Sequence, residues 1–353
     1  MLEHIHDQNI WDTLRESDLP IVLYGMGNGA DQIFSVLEKY QIKVSAIFAS
    51  DGFVRGHSFR GYPVQTYRAV CEAYPDFLTV MSFAVHDRPT MERIRAMNRQ
   101  HRVLSPTIPV AGSGLFTREF IQEHEAEFDQ AFSLLADERS RQIYLDILRF
   151  KVSGNIEYLF RCETEKEEVY SQLLCLGSQE TIVDLGAYDG DTIREILTAT
   201  GGQYRQIYAF EPDSKNFQKL LRNTEHLERF QPFHLGAWNQ QDTLSFQRQG
   251  GRNSRLGKGE ILVEVDAVDN RIPGPITLLK MDIEGSESQA LEGAKQTILR
   301  DRPKLYLCAY HRNEDMFQLP LQVHSYVPEY RFHFRHHPYI PAWESNFYAN
   351  LNH

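Results

Sequence analysis

The chain has 353 residues, 42% hydrophobic and 24% charged, with glycine and proline scattered through it. That length fits two domains, each able to bury its own core, and the composition excludes disorder, collagen and coiled coil as descriptions of the whole. The net charge of −11 argues against electrostatic binding to nucleic acid or anionic lipid, both of which need a basic face.

The first sixteen residues are polar and amphipathic, without the apolar core of a signal peptide. No run approaches the roughly 18 apolar residues of a spanning helix. Cys71, Cys162, Cys175 and Cys308 lie far apart, with neither C-x-x-C nor zinc-type spacing. A cytoplasmic protein with free thiols and no membrane span is expected.

From Pro20 to about Ser113, strands at Ile21–Gly25, Val44–Ser50 and Phe77–Val85 alternate with helices at Ala30–Tyr40 and Arg88–Gln100. This alternation predicts a parallel sheet covered on both faces. Gly25-Met26-Gly27-Asn28-Gly29-Ala30 fits G-x-G-x-x-A between a strand and a helix, with Asp51 about 20 residues on. A dinucleotide, another nucleotide or sugar ligand, and a purely structural turn are all compatible with it. Residues 109–114 then break the pattern. From Thr117 to about Leu176 apolar residues recur at helical spacing, with a Glu-rich first half. A solvated helical connector is expected there, a connector that also covers the functional site being the alternative.

From Thr181 alternation returns. TIVDLGAY, QIYAFEPD and FQPFHLGAW predict three strands, Thr243–Gln247 and Ile261–Val268 two shorter flanking ones. TLLKMDIEG, KLYLCAYH, YRFHFRHH and SNFYANL supply four more, the last two as a near-hairpin at a sheet edge. Asp184-Leu185-Gly186-Ala187-Tyr188-Asp189-Gly190-Asp191-Thr192 places an acid in the strand end and small residues at the turn. Glu211-Pro212-Asp213 ends the next strand with a second acid. Small residues leave room for a bulky cofactor against the backbone, Glu211 can accept two ribose hydroxyls, and Asp184 can address a cationic amino group. A phosphate ligand would favour a G-K-[ST] turn. An acid-lined turn favours a cation, and S-adenosylmethionine carries a sulfonium and an ammonium.

Val183–Thr192, Ala209–Asp213, Leu235–Trp238 and Leu278–Ala294 resemble the FkbM family of S-adenosylmethionine-dependent methyltransferases. The most distinctive element is K-x-D-[IV]-E-G-x-E followed by L-x-G-A; Ala309–Pro320 and the terminal NFYA add to it. Many members have Asn where this chain has Tyr188, and a subset carries an N-terminal Rossmann-like domain. The resemblance implies an α/β protein: a smaller Rossmann-like α/β domain (1–115), a helical connector (116–176) and a class I, Rossmann-like methyltransferase domain (177–353). It implies that Asp184, Gly186, Ala187, Tyr188, Gly190 and Thr192 line the methionine side of S-adenosylmethionine. Glu211 and Pro212 would then hold the ribose and Gly236, Ala237 and Trp238 border the adenine, with Asp282 orienting the cofactor.

Methyl transfer to oxygen is an in-line displacement that needs a group to take the hydroxyl proton. Candidates are Asp282 and Glu284, which share a side if their strand continues, and His311, which titrates near neutrality unless perturbed. With His336, His337 or Glu344 these could also assemble a divalent metal site, which no ligand spacing demands. Arg252, Ser254 and Arg255, in the glycine-rich 250–259, could grip an acceptor phosphate or carboxylate. The expected activity is O-methylation of a small-molecule or sugar-containing acceptor; a homo-oligomer is left open. The rival is a nucleotide-sugar- or partner-binding assembly protein, and a dehydrogenase using the first glycine turn is a third alternative.

Overall fold

The computed structural model describes residues 2–246 and 261–351. Its first sheet contains β1 (Ile21–Tyr24), β2 (Val44–Phe48), β3 (Ser58–Phe59), β4 (Tyr62–Gln65), β5 (Leu78–Met81) and β6 (Val103–Leu104). Their order is β3-β4-β2-β1-β5-β6, parallel except for the β3–β4 hairpin. β1 and β5 are buried along their whole length, the signature of strands covered on both faces. The three expected strands are present; the short β3, β4 and β6 gave no apolar run long enough to read.

The second sheet has the order β15-β16-β14-β13-β7-β8-β9. It is built from β7 (Thr181–Leu185), β8 (Gln206–Phe210), β9 (Phe230–Phe233), β13 (Leu278–Met281), β14 (Lys304–Cys308), β15 (Arg331–His336) and β16 (Ser345–Asn350). The first five in chain order are parallel, and β15 and β16 are antiparallel to each other. β8 lies on one side of β7 and β13 on the other. The carboxyl ends of β7 and β13 therefore open the crevice where ligands bind in such sheets.

One expected strand divides. Phe230–Phe233 is the edge strand β9, where Pro232 costs no ladder bond on its open side. The chain then leaves the sheet, and β10 (Gly236–Ala237) joins a separate small sheet ordered β10-β12-β11. Its partners are β12 (Ile261–Asp266) and β11 (Asp242–Phe246). Gly236 lies so close to β12 that an added Cβ would meet Val265 Cγ1 at 3.0 Å.

The segment expected to be a solvated connector is instead part of the core. Its long helix, Glu138–Ser153, is capped by the Asp137 side chain on Ser140 N–H and ends at Gly154, whose φ of +66° suits glycine. Eleven of its sixteen residues are buried, with Glu138, Arg139 and Gln142 near its start left exposed. Tyr144 donates to Met316 O at 2.8 Å and packs edge-on against Phe334. Asp137 accepts from Arg335 and binds His333. One hydrophobic cluster runs from Phe48 and Phe77 through Ile147 and Phe150 to Leu279 and Phe334, so the helix cements the two sheets. Ile147→Ala is expected to cost about 2–5 kcal/mol in chemical denaturation, as a core truncation does. A solvated connector would lose less than about 0.5 kcal/mol.

Candidate functional site

Beyond β7 the chain turns tightly. Gly186 and Ala187 both donate to Phe210 O, at 3.0 and 2.9 Å, which binds the turn to the end of β8. Gly186 has φ +79°, and a Cβ there would fall 1.8 Å from Asp282 O. Only glycine lets the turn pass this close to the end of β13. Ala187 is fully buried, Gly190 (φ +87°) caps the helix Asp191–Ala199, and Thr192 is buried in its first turn. Tyr188 also lies in the left-handed region, at φ +48°, with its side chain exposed and Lys219 5.3 Å from its ring. Asn tolerates that backbone better than Tyr does.

Glu211 faces the same turn. Its Oε2 accepts the Tyr188 N–H and its Oε1 the Asp213 N–H, both at 2.8 Å. Burial pushes its carboxyl up to about 7, against the pull of those two backbone donors. Pro212 Cβ lies 3.8 Å from where a Gly236 Cβ would stand, so the end of β8 meets β10. Ala237 is buried and Trp238 partly exposed, its N–H donating to Asp266 O. The structure thus gathers the turn, Glu211 and Pro212, the Gly236–Trp238 segment and Asp282 around one crevice.

Asp184 does not lie open to a ligand. It is fully buried and pairs with Lys280 Nζ at 2.9 Å, and Lys280 also donates to Gly186 O. Burial pushes Asp184 up to about 6 with Lys280 opposing. Asp184 and Asp282 hold the Lys280 ammonium charged despite its own burial. Lys280 opens the K-x-D-[IV]-E-G-x-E element but was assigned no role from the sequence, although a lysine inside the apolar run LLKM was a signal for one.

The strand does not continue through Asp282 and Glu284. β13 ends at Met281, Glu284 sits in a turn at φ +56°, and the two-residue alternation lapses; Glu284 is exposed. It is Glu287, the last residue of the K-x-D-[IV]-E-G-x-E element but given no role of its own there, that reaches back to Ile283 N–H at 3.0 Å. His311 is no free base. Its Nδ1 is 2.8 Å from Glu287 Oε1 and its Nε2 3.2 Å from Asp282 Oδ1. Although burial works against the charge, the two carboxylates raise its pKa well above the ordinary value, so it is an imidazolium with both nitrogens engaged. Asp282 also accepts from Tyr310 OH at 3.0 Å. Against burial, His311, Lys280 and Tyr310 hold its carboxyl well below the usual range.

Among the described residues Asp282, Glu284 and His311 are not grouped with His336, His337 or Glu344 as metal ligands, an arrangement the sequence left possible. Burial pushes His336 down to about 3 and His337 to about 4. His336 Nδ1 meets Ser345 Oγ at 3.0 Å, and His337 is held at both nitrogens by Thr164 O and Tyr348 OH. Glu344 faces Lys166 at 3.6 Å. Among the described residues one group, Glu287, His311 and Asp315, brings three ligand-type atoms within 4.8 Å of one another.

In the first domain, Gly25 (φ +120°) lies against Ser82 and Phe83, and a Cβ on Gly29 would stand 2.4 Å from Ser82 O. Both glycines are required by packing against the end of β5. Asp51 is exposed in a short 3-10 turn. Arg252, Ser254 and Arg255 lie outside the described residues. Among the described residues no helix is long and apolar enough to cross a membrane.

Two stability measurements follow. Lys280→Met strands Asp184 without its buried partner and is expected to cost about 3–5 kcal/mol. Tyr188→Asn relieves the left-handed strain and is expected to gain up to about 1 kcal/mol. A neutral first result or a destabilising second would contradict these assignments.

Residues 184–340 match the methyltransferase FkbM domain. The 2-O-methyltransferase NoeI of Sinorhizobium fredii (strain NBRC 101917 / NGR234) is 23% identical over 193 residues, 46% of this chain and 77% of that protein. The crystal structure of methyltransferase FkbM from Methylobacillus flagellatus KT superposes with a TM-score of 0.73 at 24% identity, covering 96% of this chain and 92% of its own. That superposition extends the shared fold to the N-terminal sheet and the helical segment. A Streptococcus mutans protein in complex with SAH aligns at a TM-score of 0.34 and 14% identity, over 53% of this chain and 96% of its own. The match to the methyltransferase FkbM domain therefore lies within the C-terminal half of this chain.

Proposed function

We propose that the protein is an S-adenosylmethionine-dependent methyltransferase that acts on a hydroxyl of a small-molecule or sugar-containing acceptor. The observation that supports this most is Glu211, a buried carboxylate at the switch-point crevice. Each of its oxygens accepts one backbone N–H and keeps a second lone pair for one of two adjacent hydroxyls. The residues present fit the cofactor: a ribose diol suits Glu211, which faces the tight turn that Gly186 and Gly190 close at positive φ. Gly236, Ala237 and Trp238 would border the adenine. Bound there, S-adenosylmethionine supplies an electrophilic methyl group. Oxygen as the acceptor atom is supported by the 2-O-methyltransferase relative and by a carboxylate where the proton must go.

Asp282 is the proposed proton acceptor. It is 31% exposed, whereas His311 is buried behind it. A strongly stabilised carboxylate is a weak base, yet a hydroxyl oxygen becomes very acidic as it gains a methyl group. A base of low pKa therefore suffices, and it stays ionised at any working pH. His311 and Glu287 act through Asp282 by fixing its orientation. Asp184 contributes by holding Lys280, not by touching the cofactor.

Because Glu211 must be ionised to accept both hydroxyls, affinity for S-adenosylhomocysteine is expected to fall as pH drops through 7. The fall from pH 8 to pH 6 should be about tenfold by calorimetry. Glu211→Gln should weaken binding and flatten that profile; an unchanged affinity and profile would overturn the assignment. Asp282→Asn should lower kcat about 100-fold or more, with Glu284→Gln near wild type. The opposite pattern would return the catalytic role to Glu284.

A further inference from the structure

Behind Asp282 three buried ligand-type side chains meet. Glu287, His311 and Asp315 are each at most 1% exposed, and one donor atom from each lies within 4.8 Å of the others. Glu287 opens the helix Glu287–Gly293 after β13, His311 follows β14, and Asp315 opens the helix Asp315–Tyr326. β13 and β14 pair in parallel, so the segments leaving their carboxyl ends come side by side.

The hydrogen bonds of this group leave part of it unsatisfied. Glu287 Oε1 accepts the Ile283 N–H at 3.0 Å and lies 2.8 Å from His311 Nδ1. Glu287 Oε2 is buried and has no hydrogen-bond partner among the described residues. Asp315 Oδ2 accepts the Arg312 N–H at 2.8 Å. Burial and, next, the charge of Glu287 push Asp315 up to about 7. Against burial, Glu287 is also the leading charge that raises His311. Glu287 therefore faces both neighbours, with one oxygen that no donor satisfies and no hydrogen bond joining it to Asp315. A buried carboxylate oxygen left in that state is costly, and a cation held by all three side chains removes the cost.

His311 is oriented for such a cation. Its Nε2 lies 3.2 Å from Asp282 Oδ1, and a carboxylate on one ring nitrogen is what commonly orients an imidazole whose other nitrogen binds a metal. Nδ1 and Glu287 Oε1, 2.8 Å apart, are already spaced as two ligands on one ion with bonds of about 2.0–2.2 Å. Nδ1, the two oxygens of Glu287 and one oxygen of Asp315 make four donors. That is a closed set that needs no water, and its mixture of imidazole and carboxylate suits zinc better than magnesium.

We propose that Glu287, His311 and Asp315 form a structural site for one zinc ion, which takes the place of the proton on His311 Nδ1. Binding releases that proton to solvent, and Nε2–H stays directed at Asp282. The ion lies behind the proposed site of transfer and touches no substrate; it fixes His311 and, through it, the orientation of Asp282. The site needs neither cofactor nor acceptor, so it stands independently of the methyltransferase assignment.

The test uses the full-length protein, stripped with EDTA, freed of chelator and titrated calorimetrically with zinc chloride in two buffers of different ionisation enthalpy. Wild type is expected to bind one ion per chain, release about one proton per ion and melt at a higher temperature with zinc than without. Glu287→Gln and Asp315→Asn should each weaken binding about 100-fold or more, beyond the roughly 10–100-fold that losing an outer partner of a ligand costs. Asp315→Asn keeps an oxygen for the Arg312 N–H, so its melting temperature without zinc should stay near that of wild type. Cys175→Ser, which removes an exposed thiol, should leave zinc affinity unchanged. Failure of stripped wild type to bind zinc, binding without proton release, or affinity unchanged in both carboxylate variants would overturn the site. Loss of binding in Cys175→Ser would overturn it too, by assigning the ion to the thiol.

Discussion

The buried pair of Asp184 and Lys280 is the interaction on which the candidate site depends. Lys280 stands in the middle of β13 and Asp184 in the neighbouring β7, with no water to solvate either. A lone charge at that depth would be prohibitively expensive, but a pair with additional hydrogen bonding is sustainable. The ammonium provides it by also binding Gly186 O, so one side chain joins both central strands and fixes the start of the turn. That turn in turn presents the Tyr188 N–H to Glu211, and its close approach to Asp282 O requires glycine at 186. Register, turn geometry and the orientation of two functional carboxylates thus share one electrostatic anchor.

A second set of charges extends outward from it. Glu287, His311 and Asp282 form a row in which the imidazolium lies between two carboxylates, and Tyr310 closes the row at Asp282. Asp315 lies beside Glu287 and His311, and burial with the nearby Glu287 pushes it up to about 7. Acidic groups therefore outnumber cations behind the crevice. Part of the net −11 is concentrated where a sulfonium is expected, which is the local meaning of an acidic balance that in sequence argued only against nucleic acid.

Much of this was legible in the chain. Strand–helix alternation gave both sheets, and the small residues at 186, 187 and 190 with an acid at 211 marked the crevice, because these depend on local spacing. What escaped depends on pairing at a distance. Asp184 was assigned to a ligand because its partner lies 96 residues away across the sheet, and His311 looked titratable because Glu287 and Asp282 were not known to clamp it. The segment around Tyr144 read as solvated because its burial arises from contact with Phe334 and Met316, nearly 200 residues on. The sidedness of Asp282 and Glu284 depended on a continuing strand, and β13 ends at Met281, before both. The three strands too short to carry an apolar run escaped for lack of signal, not through any conflict with it.

The crystal structure of the full-length protein with S-adenosylhomocysteine tests the account most directly. It predicts the ribose hydroxyls within hydrogen-bonding distance of Glu211, the adenine beside Gly236–Trp238, and the sulfur directed toward Asp282. Asp184 should still be paired with Lys280. The ligand bound instead at the Gly25–Ala30 turn, or in the crevice with its ribose away from Glu211, would contradict it.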